Sequence, residues 1–403
     1  MLLANRGFVN DAHSASSGKG MPGVRVLGTS IACESTVAED IQSGIDAALG
    51  DIIAALTRPL TAEEKNPQVQ KEPQPKVAFK GTLRQFNEFF YRKGWGDGLP
   101  LYPPTEQAVA EMLTGTDLPR DHVVAKLIPR LGKATVEKIA VNAVMAGALP
   151  IHMPVLLATV DALADPKTRF DTFEVSTGSW APFLLINGPL RNDIHINCSS
   201  GALSPGNMAN SAIGRAVGLI VKNIGGARKG IEDMGTLGNP GKYALVLGEN
   251  QEESPWQPLH VDLGFNPDDS TVTVFFPNRY TQHVPAQTSP EGLAGSMAGL
   301  GLYSLAGLVV IPDHARIFKS AGWTKQQVKD FIVKNTPRAA GGGGLKNEDF
   351  ILVVAGGPGV WIGHHQSAGG FENEFVTRKI QLPKNWDKLV ARYKTLVPTY
   401  VKY

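Results

Sequence analysis

The chain has 403 residues, 42% of them hydrophobic and 19% charged, the composition of a soluble globular protein long enough for two or three domains. Lys and Arg (39) nearly balance Asp and Glu (37), and the net charge of +2 gives no electrostatic case for nucleic acid or an anionic membrane as partner. Two cysteines, Cys33 and Cys198, exclude a disulfide scaffold and a thiolate-built zinc site. The opening MLLANRGFVNDAHSASS lacks the apolar core of a secretory signal, and no uncharged stretch approaches the ~18–20 residues that span a bilayer, so a cytoplasmic location is expected. Forty-four glycines and 28 prolines point to a loop-rich α/β architecture with mixed sheets rather than a helical bundle.

In chain order, 24–32 reads as a strand and 35–57 as an amphipathic helix behind the N-cap candidates Ser35 and Thr36. One strand and one helix cannot bury their apolar faces alone, so residues 1–57 are expected to complete a sheet belonging to something else. The proline-rich stretch 58–80 reads as a linker. Helices follow at 82–94, from Thr105, at 136–150 and at 153–165, then a buried strand at 181–189. A buried helix at 207–226 stops at Gly225 and Gly226. Strands are expected at 243–248, 270–276, 308–312 and from 349, with helices at 289–303 and 324–336. The body divides into 81–265 and 266–403. FLLINGP and ILVVAGGPG, apolar strands that each stop at a small-Gly-Pro turn, suggest two related halves.

The richest region runs from Asn197 to Trp256, where two loops dense in Gly, Asn, Ser and Pro flank one helix, a pattern suited to a small-molecule site of backbone amides and carboxamides. Asn207 stands at the helix start, with Asn210 and Arg215 further along. A helix N-terminus suits a carboxylate or phosphate, but Asn207 also reads as a simple N-cap. No nucleotide or flavin motif occurs, so the cofactor is left unknown.

TLGNPGKY presents Lys242, and the strand after it emerges at Glu249 and Asn250, followed by Glu253 and His260. These carboxylates and the imidazole are acid–base candidates, or a solvated edge; their spacing is no metal signature. In GWGDGLP (94–100), Asp97 is either a general base or substrate anchor, or the capping group of its own turn. Gly356 and Gly357 after a buried strand can form an anion-binding nest, with His365 the candidate of the adjacent pair His364–His365. Cys198, at the entry of the Asn-rich loop, is a nucleophile candidate or a buried inert thiol.

The run GWGDGLPLYPPT, NAVMAGALP, LLINGP, GALSPGNMANSAIGRA, NIGGAR, TLGNPGKY, GENQEESPW and PLHVDLGF resembles a group of bacterial proteins linked to the UGSC-motif proteins, which are named for a selenocysteine-or-cysteine–Gly–Ser–Cys signature. The resemblance covers roughly residues 82–400. The first 57 residues look like the closing third of a UGSC-type domain whose signature and front part are absent here. It implies that a second polypeptide supplies the missing part in a hetero-oligomer, and it carries over no reaction. The expected function is an enzyme or enzyme subunit acting on a small polar organic substrate by lyase or hydrolase chemistry, with Glu, Asp or His moving a proton and a thiol assisting. The alternative is a non-catalytic or redox-linked binding subunit.

Overall fold

The computed structural model describes residues 1–67, 77–300, 306–337, 345–360, 363–367 and 374–397. The molecule is α/β with several small mixed sheets. Near the N-terminus, β1 (Leu2–Asn5) pairs in parallel with β2 (Val26–Thr29) across the helix Val9–Gly18, and the helix Ala38–Thr57 follows. The N-cap of that last helix is Val37, not Ser35 or Thr36. The Ser35 hydroxyl instead accepts the Val37 amide at 3.3 Å, shaping the turn before the helix. This unit docks on the body through Ser14 to Glu232 and Thr177 to Glu34 (2.9 Å). The start of the expected linker is tied back: Arg25 clamps Glu64 (2.7 Å) and the carbonyls of Ala55, Arg58 and Pro59.

Threonine caps start the body helices where the sequence places them. Thr82, Thr105 and Thr324 each accept an amide three residues on, opening Leu83–Arg92, Glu106–Met112 and Lys325–Asn335. A hairpin, β3 (Val123–Leu127) and β4 (Gly132–Thr135), precedes the helices Val136–Met145 and Met153–Leu163.

Two four-stranded sheets then form. The first is ordered β12-β7-β5-β6, from β5 (Phe183–Asn187), β6 (Val246–Gly248), β7 (Thr271–Phe275) and β12 (Val376–Lys379). The second is ordered β8-β11-β9-β10, from β8 (Arg279–His283), β9 (Ala306–Val310), β10 (Phe350–Val354) and β11 (Gly363–Ser367). In each, the first two neighbour pairs are antiparallel and the last is parallel. The residue after each parallel partner donates back to its neighbour in the same way, Glu249 N to Ile186 O (3.2 Å) and Ala355 N to Val310 O (3.0 Å).

The sheets are therefore one pattern built twice with the fourth strands exchanged: β8 of the first half edges the second sheet, and β12 of the second half edges the first. The topology equates β5 with β9 and β6 with β10, so FLLINGP and ILVVAGGPG, although alike, are not equivalent strands of the repeat. Both carry Gly-Pro turns because both end at the same junction. A boundary near 265 would part β7 from β5, its partner in the ladder. Pro277, which has no amide to extend a ladder, stands between β7 and β8 where the chain leaves one sheet for the other.

Arg378 on β12 binds Asp161 (2.6 Å) and Asp165 (2.7 Å), so its face of the first sheet, shared by register with Val272 and Ile186, lies against the helix Met153–Leu163. Val309, Ile351 and Val353 of the second sheet join the core of the first, while Leu308, Val310, Phe350 and Leu352 pack with Phe318, Val328 and Ile332 of the outer helices. The layers run helix, sheet, sheet, helix. Strands buried on both faces read as continuous apolar runs, which is why β5, β9 and β10 stand out in the sequence. No helix among the described residues is long and apolar enough to cross a membrane.

Candidate functional site

The carboxyl ends of β5, β6, β9 and β10 meet where the two sheets join, and ligands of open α/β sheets bind at such ends. After β5, Gly188 turns with φ +88°, and a Cβ there would stand 2.1 Å from Asp269 O, so only glycine fits. The chain then delivers Arg191, whose side chain is 2% exposed. Its Nε donates to Gly188 O (3.0 Å), Nη2 to Gln251 Oε1 (2.9 Å) and Glu252 Oε1 (3.0 Å), and Nη1 to Glu252 Oε2 (3.3 Å) and Cys198 Sγ (3.7 Å). A guanidinium has five N–H donors, and all five are used. Burial raises the Glu252 carboxyl, but hydrogen bonds from Arg191 and Asn192 outweigh it and hold the pKa down at about 2.

Cys198 sits half-buried beside this pair. Burial pushes its thiol pKa up, and the nearby Arg191 charge only partly opposes that, so the resting group is a thiol. Gly248 permits the approach: a Cβ there would lie 2.7 Å from Ile196 Cγ2 and 3.2 Å from Cys198 Cβ. On the other side, Gly356 N donates to Cys198 O (2.9 Å), and a Cβ on Gly357 would stand 1.9 Å from Ser200 Oγ. These two glycines seat the Cys198–Ser200 loop against β10, and the Gly356 amide is used in doing so.

Glu249, one residue past β6, is fully buried. Its Oε2 accepts the Asn187 amide and Leu259 N (2.9 Å), while Oε1 has no hydrogen-bond partner among the described residues. Asn187 Oδ1 and the hydroxyl of Thr271, the residue opposite Asn187 in the ladder, are equally unpartnered. Burial raises the Glu249 pKa against the opposing pull of Lys325, favouring a carboxylic acid that can donate as well as accept. Asn250 is buried, with its amide on Val354 O (2.7 Å) across the junction. Glu253 leans on Asn250 and receives Arg316 (3.3 Å). His260 is buried and kept neutral by that burial; Nε2 donates to Pro267 O (3.3 Å), leaving Nδ1 unpartnered among the described residues.

Asn207 and Asn210 hold the loop rather than stand free. Asn207 occupies the N-cap position without capping, and its Oδ1 accepts from Asn197 (3.1 Å). Asn210 ties Asn197 (2.8 Å) and Val246 O (3.1 Å) together. Three expected site residues, Asp97, Arg215 and Lys242, lie in two clusters of their own. Asp97 makes a two-pronged ion pair with Arg215 (2.6 and 2.9 Å) and accepts Leu99 N (3.1 Å), pinning GWGDGLP onto the helix Met208–Ile220. Lys242 binds Asp233 (2.7 Å) and approaches Glu174 (3.8 Å), a fully buried carboxyl that burial raises to about 8. His365 pairs through its backbone with Leu308 and Thr281, and its side chain lies outside the described residues.

Sequence reading did not single out Arg191, Gln251, Asn187 or Thr271 for the site. The available signal was an arginine two residues past a strand-ending Gly-Pro. Among the described residues no group of three or more His, Cys, Asp or Glu is placed to hold a metal ion. No known family model, curated protein or solved structure matches the chain.

Proposed function

We propose that the chain is an enzyme, or the subunit of one, acting on a small polar organic molecule at the junction of the two sheets. The observation that carries this is the buried trio at the carboxyl end of β5: Glu249 Oε1, Asn187 Oδ1 and Thr271 Oγ1 have no hydrogen-bond partner among the described residues, on side chains linked by the Asn187–Glu249 hydrogen bond and the Asn187–Thr271 register. Unsatisfied buried polar atoms cost about 1–3 kcal/mol each, so such a group is retained where a ligand's polar atoms use it. Glu249, favoured in its acid form by burial, is the proton donor or acceptor. Asn187 and Thr271 orient a hydroxyl or carbonyl, Cys198 is the thiol within reach of the Arg191–Glu252 pair, and His260 is a neutral base. Lyase or hydrolase chemistry fits this set. The test uses the purified full chain with small-molecule extract from its source, following depletion by mass spectrometry. Glu249→Gln should abolish any depletion seen with the native chain while the fold is kept; full turnover in that variant refutes the reading.

A second reading, a binding subunit of a hetero-oligomer related to the UGSC-linked proteins and residing in the cytoplasm, is favoured by the N-terminal unit. Its two-stranded parallel sheet leaves Leu2 (39%) and Leu3 (42%) exposed, and the helix Ala38–Thr57 leaves Ile53 (52%) and Leu56 (65%) exposed, whereas parallel sheets are normally covered on both faces. Native mass spectrometry of the chain from its source distinguishes the cases. A second polypeptide in fixed ratio supports the split unit, and a lone chain refutes it.

A further inference from the structure

A cleft of about 900 Å3 opens along β10, the edge strand of the second sheet among the described residues, and is bordered by the stretch Pro255–Gln257 and by Leu259. Trp256, Leu263 and Phe375 supply its accessible apolar lining, Phe350 and Leu352 border it while remaining buried, and the first turn of the helix Lys325–Asn335 forms one wall. Its charges are unevenly matched. Asp262 is held by Lys325 (2.5 Å), Glu374 by Lys167 (2.8 Å) and Glu348 by Lys346 (3.8 Å), while Asp349 caps the Lys346 amide (2.7 Å). Lys319 and Lys329, which also line the cleft, have no carboxylate in ion-pair contact among the described residues. Lys329 Nζ stands 4.8 Å over the Phe350 ring. Burial depresses its pKa, and the Lys325 charge adds to this, against weaker opposition from Asp262, Glu348 and Asp330; an ammonium so placed gains from any anion that reaches it. The helix start adds partial positive charge on the same wall.

We propose that this cleft binds a small amphipathic organic acid, its carboxylate against Lys329 and its apolar body against Trp256, Leu263 and Phe375. The site does not depend on the reaction proposed above, and binding can be read without turnover. Isothermal titration of the full chain with 4-phenylbutyrate, the neutral 4-phenylbutan-1-ol, and acetate separates the contributions. We expect one phenylbutyrate per chain, with the alcohol and acetate each about tenfold weaker or worse, the scale of one charge-assisted contact. Lys329→Met, which keeps the apolar stem, should weaken phenylbutyrate about tenfold and leave the alcohol within about twofold. Absence of phenylbutyrate binding, equal affinity for acid and alcohol, or an unchanged Lys329→Met variant each overturns the proposal. Should Lys329→Met not fold, the acid-to-alcohol ratio on the native chain and on Lys319→Met decides.

Discussion

Glu174 offers the sharpest test of the electrostatics, because its carboxyl is wholly buried and raised from 4.5 to about 8. Burial is the main cause; Lys242 at 3.8 Å opposes it and Asp233 reinforces it. Between those two values the folded chain holds a proton that the unfolded chain has released. The stability this group confers is therefore complete below about 4.5 and falls as pH rises through about 8. One proton of difference corresponds to about 1.4 kcal/mol per pH unit, or about 2–3 kcal/mol across two units inside the window. His152, held at about 3 chiefly by burial, acts in the opposite sense. Its unfolded form binds the extra proton, so its contribution rises with pH through the ordinary histidine range. The comparison must therefore be differential. Urea midpoints of the native chain and Glu174→Gln, measured at half-unit steps from about pH 5 to about pH 8, should diverge steadily in favour of the variant as pH rises. Parallel curves would show that Lys242 already neutralises an ionised Glu174 and that burial does not decide its charge.

Three further outcomes follow from the junction. Cys198, a half-buried thiol with a raised pKa, should react with iodoacetamide near neutral pH about tenfold slower than the exposed Cys33; equal rates by peptide mapping would place Cys198 in open solvent. Gly248→Ala should cost about 1–3 kcal/mol in urea unfolding, because its methyl would press on Ile196 and the Cys198 loop, and an unchanged midpoint would refute that close approach. Near neutral pH, Glu249→Gln should shift stability by less than about 1 kcal/mol, since burial already favours the acid that glutamine mimics; a loss above about 3 kcal/mol would mean an ionised, structurally required carboxylate.

Elements governed by local chemistry were legible in the sequence. Thr82, Thr105 and Thr324 announce their helices through side-chain caps, and β5, β9 and β10 announce themselves by unbroken apolar runs. The strands β8 (RYTQH), β11 (GHHQS) and β12 (VTRK) were not, because short polar segments acquire strand character only from partners far along the chain. The same distinction runs through the site. Glu249, Asn250 and Cys198 lie in a conspicuous loop-rich stretch, whereas Arg191 acquires its role only when Glu252, 61 residues later, closes on it. Asp97 and Arg215 were each noticed, but nothing local reveals that residues 118 positions apart face each other.

The exchange of β8 and β12 bears on how the molecule comes apart. Each sheet borrows its rim from the opposite half, so a cut between residues 284 and 305 would leave two fragments that each lack an edge and carry an unmatched one. The halves must lose order together, and on folding β12 has to wait for the last residues of the body before the first sheet can close. A nascent chain stalled before β12 would present β7 as a bare, apolar rim, open to capture by the same segment of another copy.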